Sequence, residues 1–94
     1  MKTLAEVLAL LSPHKGEFQF NGFAIRHKQL KDACGQQCCP LNVLCGGKHK
    51  NWHYDRFAEE LNASPVDVEE IMAAADGWSH PLRDRLIEAV GLEE

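Results

Sequence analysis

Four cysteines lie within twelve residues, Cys34, Cys38, Cys39 and Cys45, and His49 and His53 follow at four-residue spacing. Thiolate and imidazole are the ligands that zinc takes in a tetrahedral site, and two histidines four apart can reach one ion from one helical face. Common zinc modules open with a close ligand pair and place the second pair well downstream. Here the chain instead doubles at once to Cys38-Cys39. The pattern favours unbonded thiols, with Cys39 capping a helix and Cys45 packed in the core as a small hydrophobe. A metal, if bound, falls to Cys34, Cys38, Cys45 and His49, and a disulfide is the other alternative. No cofactor is expected, zinc being the alternative to unbonded thiols.

The same residues admit a thiolate nucleophile activated by an imidazole. Nothing in the sequence supplies a recognisable third group or an oxyanion hole, so the expectation is a protein that is not an enzyme. Gly46-Gly47-Lys48 resembles a fragment of a phosphate-binding loop, but the first glycine of that motif is missing and His49 replaces its Ser or Thr. Tyr54 to Gly77 has the small, turn and apolar positions of a helix-turn-helix at Ala58, Asn62, Ala63, Ser64, Val68 and Ile71. Its second helix carries Asp67, Glu69 and Glu70 and no base in its first turns, which repels phosphates, and helix packing alone accounts for the pattern. Nucleic-acid contact, if any, would run through Arg26, Lys28, Lys48 and Lys50, with Trp52 beside them. A solvated loop is the commoner meaning of so few charges.

The elements that must position these groups follow from local signals. Thr3 and Glu6 have capping-box spacing, and Leu4, Val7, Leu8 and Leu11 form the apolar stripe of a helix that Pro13 stops. Asn21-Gly22 predicts a type I′ hairpin pairing Phe20 with Phe23, Phe18 with Ile25 and Glu17 with Arg26. That register puts Phe18, Phe20, Phe23 and Ile25 on one buried face against the Leu4/Leu8/Leu11 stripe and closes the ribbon with an ion pair. Cys39-Pro40 starts a short helix that Gly46 ends, and a basic loop follows. Tyr54, Phe57, Ala58 and Leu61 predict a helix ending at Asn62 or Ala63. Ser64-Pro65 starts the next, with Val68, Ile71, Met72 and Ala75 inward and Gly77 as its stop. The last runs from Pro81 to Val90, with Leu82, Leu86, Ala89 and Val90 inward and Gly91-Leu92 as its C-cap.

With 94 residues, 45% hydrophobic and 26% charged, and a mean hydropathy of −0.32, the chain reads as one soluble domain over residues 1–94. The expected class is α+β: a mostly helical small domain with four or five short helices packed on one N-terminal β-hairpin. Leu4 to Leu11, the longest apolar stretch, is interrupted by Glu6. It is too short to cross a bilayer and makes a poor signal peptide, so no membrane contact is expected. The net charge of −4 is unevenly spread. Met1 to His53 carries seven Lys/Arg against three acids, a surplus of +4, and Tyr54 to Glu94 three Arg against eleven acids, a surplus of −8. Such a dipole implies complementarity between the halves or with a partner.

Cys39-Pro40-Leu41, the run Ile71 to Gly77 and the ending Leu86 to Leu92 together resemble a loose group of small phage and prophage proteins. The resemblance covers roughly the last two-thirds of the chain. It implies a phage setting, in the cytoplasm of the host, and carries no catalytic residue over, since the group has no assigned activity. The expected function is that of a non-enzymatic accessory protein binding a host protein with a basic surface, as an inhibitor of a defence or nucleic-acid-processing complex. The acids exceed what helix capping needs, so the expected contact residues are Asp67, Glu70 and Asp76 with Trp78 as aromatic anchor. The rival expectations are a zinc-stabilised nucleic-acid-binding module and a small virion component.

Overall fold

The computed structural model describes residues 1–78 and 81–92, which form a small α+β domain with one antiparallel hairpin and, among the described residues, five α-helices. Helix α1 (Leu4–Ala9) begins at a complete capping box, in which Thr3 Oγ1 accepts from the Glu6 N–H and the Glu6 carboxylate accepts from the Thr3 N–H. A 3-10 turn at Ser12–His14 contains Pro13 and leads into strands β1 (Phe18–Asn21) and β2 (Ala24–His27). Helix α2 (Pro40–Leu44) starts with Cys39 as N-cap, its Sγ accepting from the Asn42 N–H at 3.4 Å, and with proline where no amide donor is needed. Helices α3 (Tyr54–Leu61), α4 (Pro65–Ala75) and α5 (Leu82–Val90) follow.

These last three helices end alike. Asn62, Gly77 and Gly91 take positive φ, and the next amide reaches back five residues: Ala63 to Ala58, Trp78 to Ala73, and Leu92 to Ile87. This Schellman geometry satisfies carbonyls that would otherwise be orphaned. The tight turn after α3 sends the chain back as α4, the crossing that the helix-turn-helix pattern implied.

Helix α4 is the centre of the molecule. Val68, Ile71, Met72, Ala74 and Ala75 are buried, and α3, α5, α2 and β2 all pack on it. Helix α1 lies mainly against α5, with Val7, Leu8 and Leu11 buried, whereas the hairpin lies mainly against α2 and α4 rather than against α1. No described helix is long and apolar enough to cross a membrane.

The hairpin turn is displaced by one residue from the expected one, which moves every cross-strand partner by two. Phe18 pairs with His27, Gln19 with Arg26, Phe20 with Ile25 and Asn21 with Ala24, so the turn residues are Gly22 and Phe23. Gly22 has φ +64° and neither Asn21 nor Phe23 is positive. A single positive φ at the first central residue is the type II′ pattern, whereas type I′ requires one at both Asn21 and Gly22. The shift overturns two expectations. Phe18 and Ile25 are buried, but Phe20 is 36% exposed, and Phe23, which now occupies the turn, is 81% exposed. Glu17 falls outside the ladder and binds His14 and His27 at 2.9 and 3.1 Å, while Arg26 pairs with Asp76 of the α4 C-cap at 2.7 Å.

Candidate functional site

Between β2 and α3 the chain runs through the cysteine-rich loop, held by three polar side chains that are themselves buried, Asp32, Asn42 and Asn51. Asp32 Oδ1 accepts from the Cys34 and Gln36 amides, both at 2.8 Å, and its Oδ2 from the Asn51 amide at 3.2 Å. Asn51 Oδ1 accepts from the Cys39 amide and its Nδ2 donates to the Gln37 carbonyl. Asn42 holds the His49 backbone from both sides, donating to its carbonyl at 2.7 Å and accepting from its amide at 3.4 Å. Backbone polar groups buried without partners are costly, so this clasp replaces the hydrogen bonds that a helix or sheet would supply.

The clasp brings a cluster together. After α2, Gly46 and Gly47 both take positive φ and turn the chain sharply, so that Cys45 and His49 converge on Glu60 of α3. A Cβ at Gly47 would lie 3.0 Å from the Lys31 carbonyl oxygen and 3.3 Å from Cys38 Sγ, which reserves the position for glycine. The Cys45 sulfur, a His49 ring nitrogen and a Glu60 carboxylate oxygen all lie within 4.8 Å of one another. Lys48 Nζ and His49 Nε2 each contact Glu60 Oε1 at 2.8 Å. These bonds, Lys48 first and His49 second, hold the Glu60 carboxyl down to about 2. Burial, reinforced by the Glu60 carboxylate, pushes the Cys45 thiol up to about 12, and burial alone carries most of the rise of Cys38 to about 11 and Cys39 to about 12. All three are protonated thiols at neutral pH, not poised nucleophiles. Beside the cluster, His53 Nδ1 is buried with no hydrogen-bond partner among the described residues, its ring 6.3 Å from that of His49.

A second feature lies at the hairpin tip. The turn seats on the C-terminal end of α4 so closely that a Cβ added to Gly77 would fall 2.5 Å from Phe23 Cβ and 2.9 Å from its carbonyl oxygen. Arg83 of α5 clamps the joint, donating to the Ala74 carbonyl and, at 2.7 Å, to the Phe23 carbonyl, with its guanidinium 5.8 Å from the Phe20 ring centre. The backbone of the tip is thereby fixed while its aromatic side chains face solvent. Phe23 and Trp78 are 81% and 71% exposed, with Phe20 beside them.

Of the expected contact residues, Asp76 and Trp78 belong to this tip, and Arg26 engages the Asp76 carboxylate. Asp67 sits at the opposite end of α4, about 14 Å away along the axis. Glu70 lies between them on a shallow groove with Leu4, Leu82 and Arg85. Of the expected metal set, Cys45 and His49 come together, whereas Cys34 is exposed and Cys38 buried, both outside the gathered group. Of the basic set, Lys48 and Arg26 are paired to acids of the other half of the chain, Lys50 stands 5.7 Å over Trp52, and Lys28 is exposed. Part of the charge asymmetry is thus spent inside the molecule. Sequence reasoning missed Glu60, Arg83 and the Asp32/Asn42/Asn51 clasp. Only Glu60 left a trace, at the edge of the Tyr54/Phe57/Leu61 stripe. No protein-family model, curated protein or solved structure matches this chain.

Proposed function

We propose that the chain is a non-enzymatic binding protein whose contact surface is the hairpin tip, with Phe23 and Trp78 as anchors. The observation that carries this reading is the presentation of two large aromatic side chains, 81% and 71% exposed, from a backbone locked by Gly77 and Arg83. Aromatic anchors on a preorganised backbone lose little entropy on binding and contribute much of the energy of protein interfaces. The partner that fits is a protein with an apolar socket, and basic side chains around it suit the net negative charge of the Tyr54–Glu94 half, whose Asp67 and Glu70 lie toward the far end of α4 and steer from a distance. The phage or prophage setting and inhibition of a host defence or nucleic-acid-processing complex belong to the same proposal. They rest on the resemblance of Cys39-Pro40-Leu41, Ile71 to Gly77 and Leu86 to Leu92.

A photo-crosslinking residue at position 23, expressed in the bacterial host, tests the surface directly. One protein is expected to crosslink, and its capture should be lost in Phe23→Ser/Trp78→Ser and slowed in on-rate by Asp67→Lys/Glu70→Lys. If Lys48→Glu/Lys50→Glu abolishes binding and the tip variants leave it intact, the basic loop is the functional surface and the proposal is wrong.

A further inference from the structure

We propose that Cys45, His49 and Glu60 form a zinc-binding site, with water as the fourth ligand. One thiolate, one imidazole and one carboxylate are a donor set that zinc accepts, and three protein ligands plus solvent make an open tetrahedral site. This set differs from the one read along the sequence: Cys34 and Cys38 drop out, and Glu60, fifteen residues beyond Cys45, enters through the fold.

Three features of the structure carry the assignment. The ligand atoms already lie within 4.8 Å of one another, and bond lengths to zinc near 2.0–2.3 Å place tetrahedral ligands roughly 3.3–3.6 Å apart, so the wider separations close by about 1 Å and the 2.8 Å His49 Nε2–Glu60 Oε1 contact opens by roughly half that. Each ligand is held by a different constraint: Cys45 by its place at the α2 C-cap, His49 by the hydrogen bonds its backbone accepts from and donates to Asn42, and Glu60 by α3. These constraints fix the backbone from which the three ligands project before an ion arrives. Finally, a cation already occupies the carboxylate. Lys48 Nζ sits 2.8 Å from Glu60 Oε1, yet its side chain is 60% exposed and can swing into water.

Charge and protons balance on binding. The Cys45 thiol gives its proton to solvent, His49 offers Nε2 as the Nδ1–H tautomer, and Lys48 leaves Glu60. Thiolate and carboxylate then neutralise the two charges of the ion.

The test uses the full chain, reduced and stripped with a chelator, and titrated with Co²⁺ as a spectroscopic probe and then with Zn²⁺. The expected result is one equivalent of Co²⁺ with a thiolate-to-cobalt charge-transfer band and the intense visible bands of four-coordination, both erased by Zn²⁺. Cys45→Ser should abolish the charge-transfer band and Cys34→Ser should leave it. His49→Gln and Glu60→Gln should each weaken Zn²⁺ binding by more than the roughly 10- to 100-fold that loss of an outer-shell partner costs. Lys48→Met should tighten it, because Glu60 loses its competing ammonium. Glu60 and Lys48 are surface side chains, so their variants report on the site even if Cys45→Ser misfolds. A wild-type protein without the charge-transfer band, a band that survives Cys45→Ser or vanishes in Cys34→Ser, or Glu60→Gln and Lys48→Met variants with unchanged affinity, would overturn the proposal.

Discussion

Replacing Gly77 by Ala probes the joint on which the proposed binding surface depends. Gly77 has φ +96°, so any side chain there is strained, a cost of about 1–2 kcal/mol for a left-handed residue. Gly91 closes α5 in the same manner at φ +75°, but a Cβ there meets nothing nearer than 3.4 Å. Gly91→Ala should therefore show the conformational cost alone. At Gly77 the new methyl would stand 2.5 Å from Phe23 Cβ and 2.9 Å from the Phe23 carbonyl oxygen. Reaching an ordinary contact lifts the hairpin tip by about 1 Å, against a hydrogen bond from the Arg83 guanidinium that contributes about 1.5–3 kcal/mol. The sum is roughly 2.5–5 kcal/mol for Gly77→Ala, a large part of the stability of so small a domain. Urea denaturation of both variants supplies the comparison. A domain of this size loses about 4–8 °C of Tm per kcal/mol, so thermal melts separate them too. Equal losses in the two variants would mean that the hairpin does not seat on α4, and the argument for a fixed aromatic tip would fall with it. Phe23→Ala should not rescue Gly77→Ala, since the atoms in the way are Cβ and backbone.

The corrected register makes the phenylalanines unequal: Phe18→Ala should cost about 3–5 kcal/mol and Phe23→Ala within about 0.5 kcal/mol, read from denaturant midpoints. Equal costs would restore the one-faced ribbon. Asp32→Ala strands the Cys34, Gln36 and Asn51 amides, so it should destabilise by more than about 2 kcal/mol and expose those amides to hydrogen exchange. Unchanged protection would remove Asp32 as the organiser of the loop. Glu60 has a carboxyl lowered from 4.5 to about 2, so its contribution to stability is complete above pH 4.5 and is lost as pH falls through about 2. Denaturation midpoints from pH 7 to 2 should fall less steeply for Glu60→Gln than for the wild type, and parallel curves would refute the ion-pair cluster.

Helix ends were legible in the sequence because their chemistry is local. The Thr3/Glu6 box, the Cys39-Pro40 and Ser64-Pro65 starts, and the stops at Asn62, Gly77 and Gly91 all stand where the spacing placed them. Each concerns residues a turn apart. The inward stripe of α4 was equally readable, although Ala74, off that stripe, is buried as well, because a central helix is covered on more than one side. The candidate sites were readable only in fragments: Trp78 and Asp76 of the tip, Cys45 and His49 of the cluster.

By itself, then, the amino-acid sequence determined the α+β class, the order of the elements and their caps, since hydrogen bonds and apolar periodicity within a few residues suffice for these. The tertiary structure alone decided the rest. A glycine at the turn suits both type I′ and type II′, and the seating of Phe23 on Gly77, fifty-four residues away, goes with the second. Arg26 met Asp76 instead of Glu17, and Glu60 joined Cys45 and His49, through the packing of β2, α2 and α3 around α4. Which cysteine meets which partner, and which aromatic is left in water, depends on where distant segments cross. That geometry is set by the burial of the whole core, and no local pattern carries it.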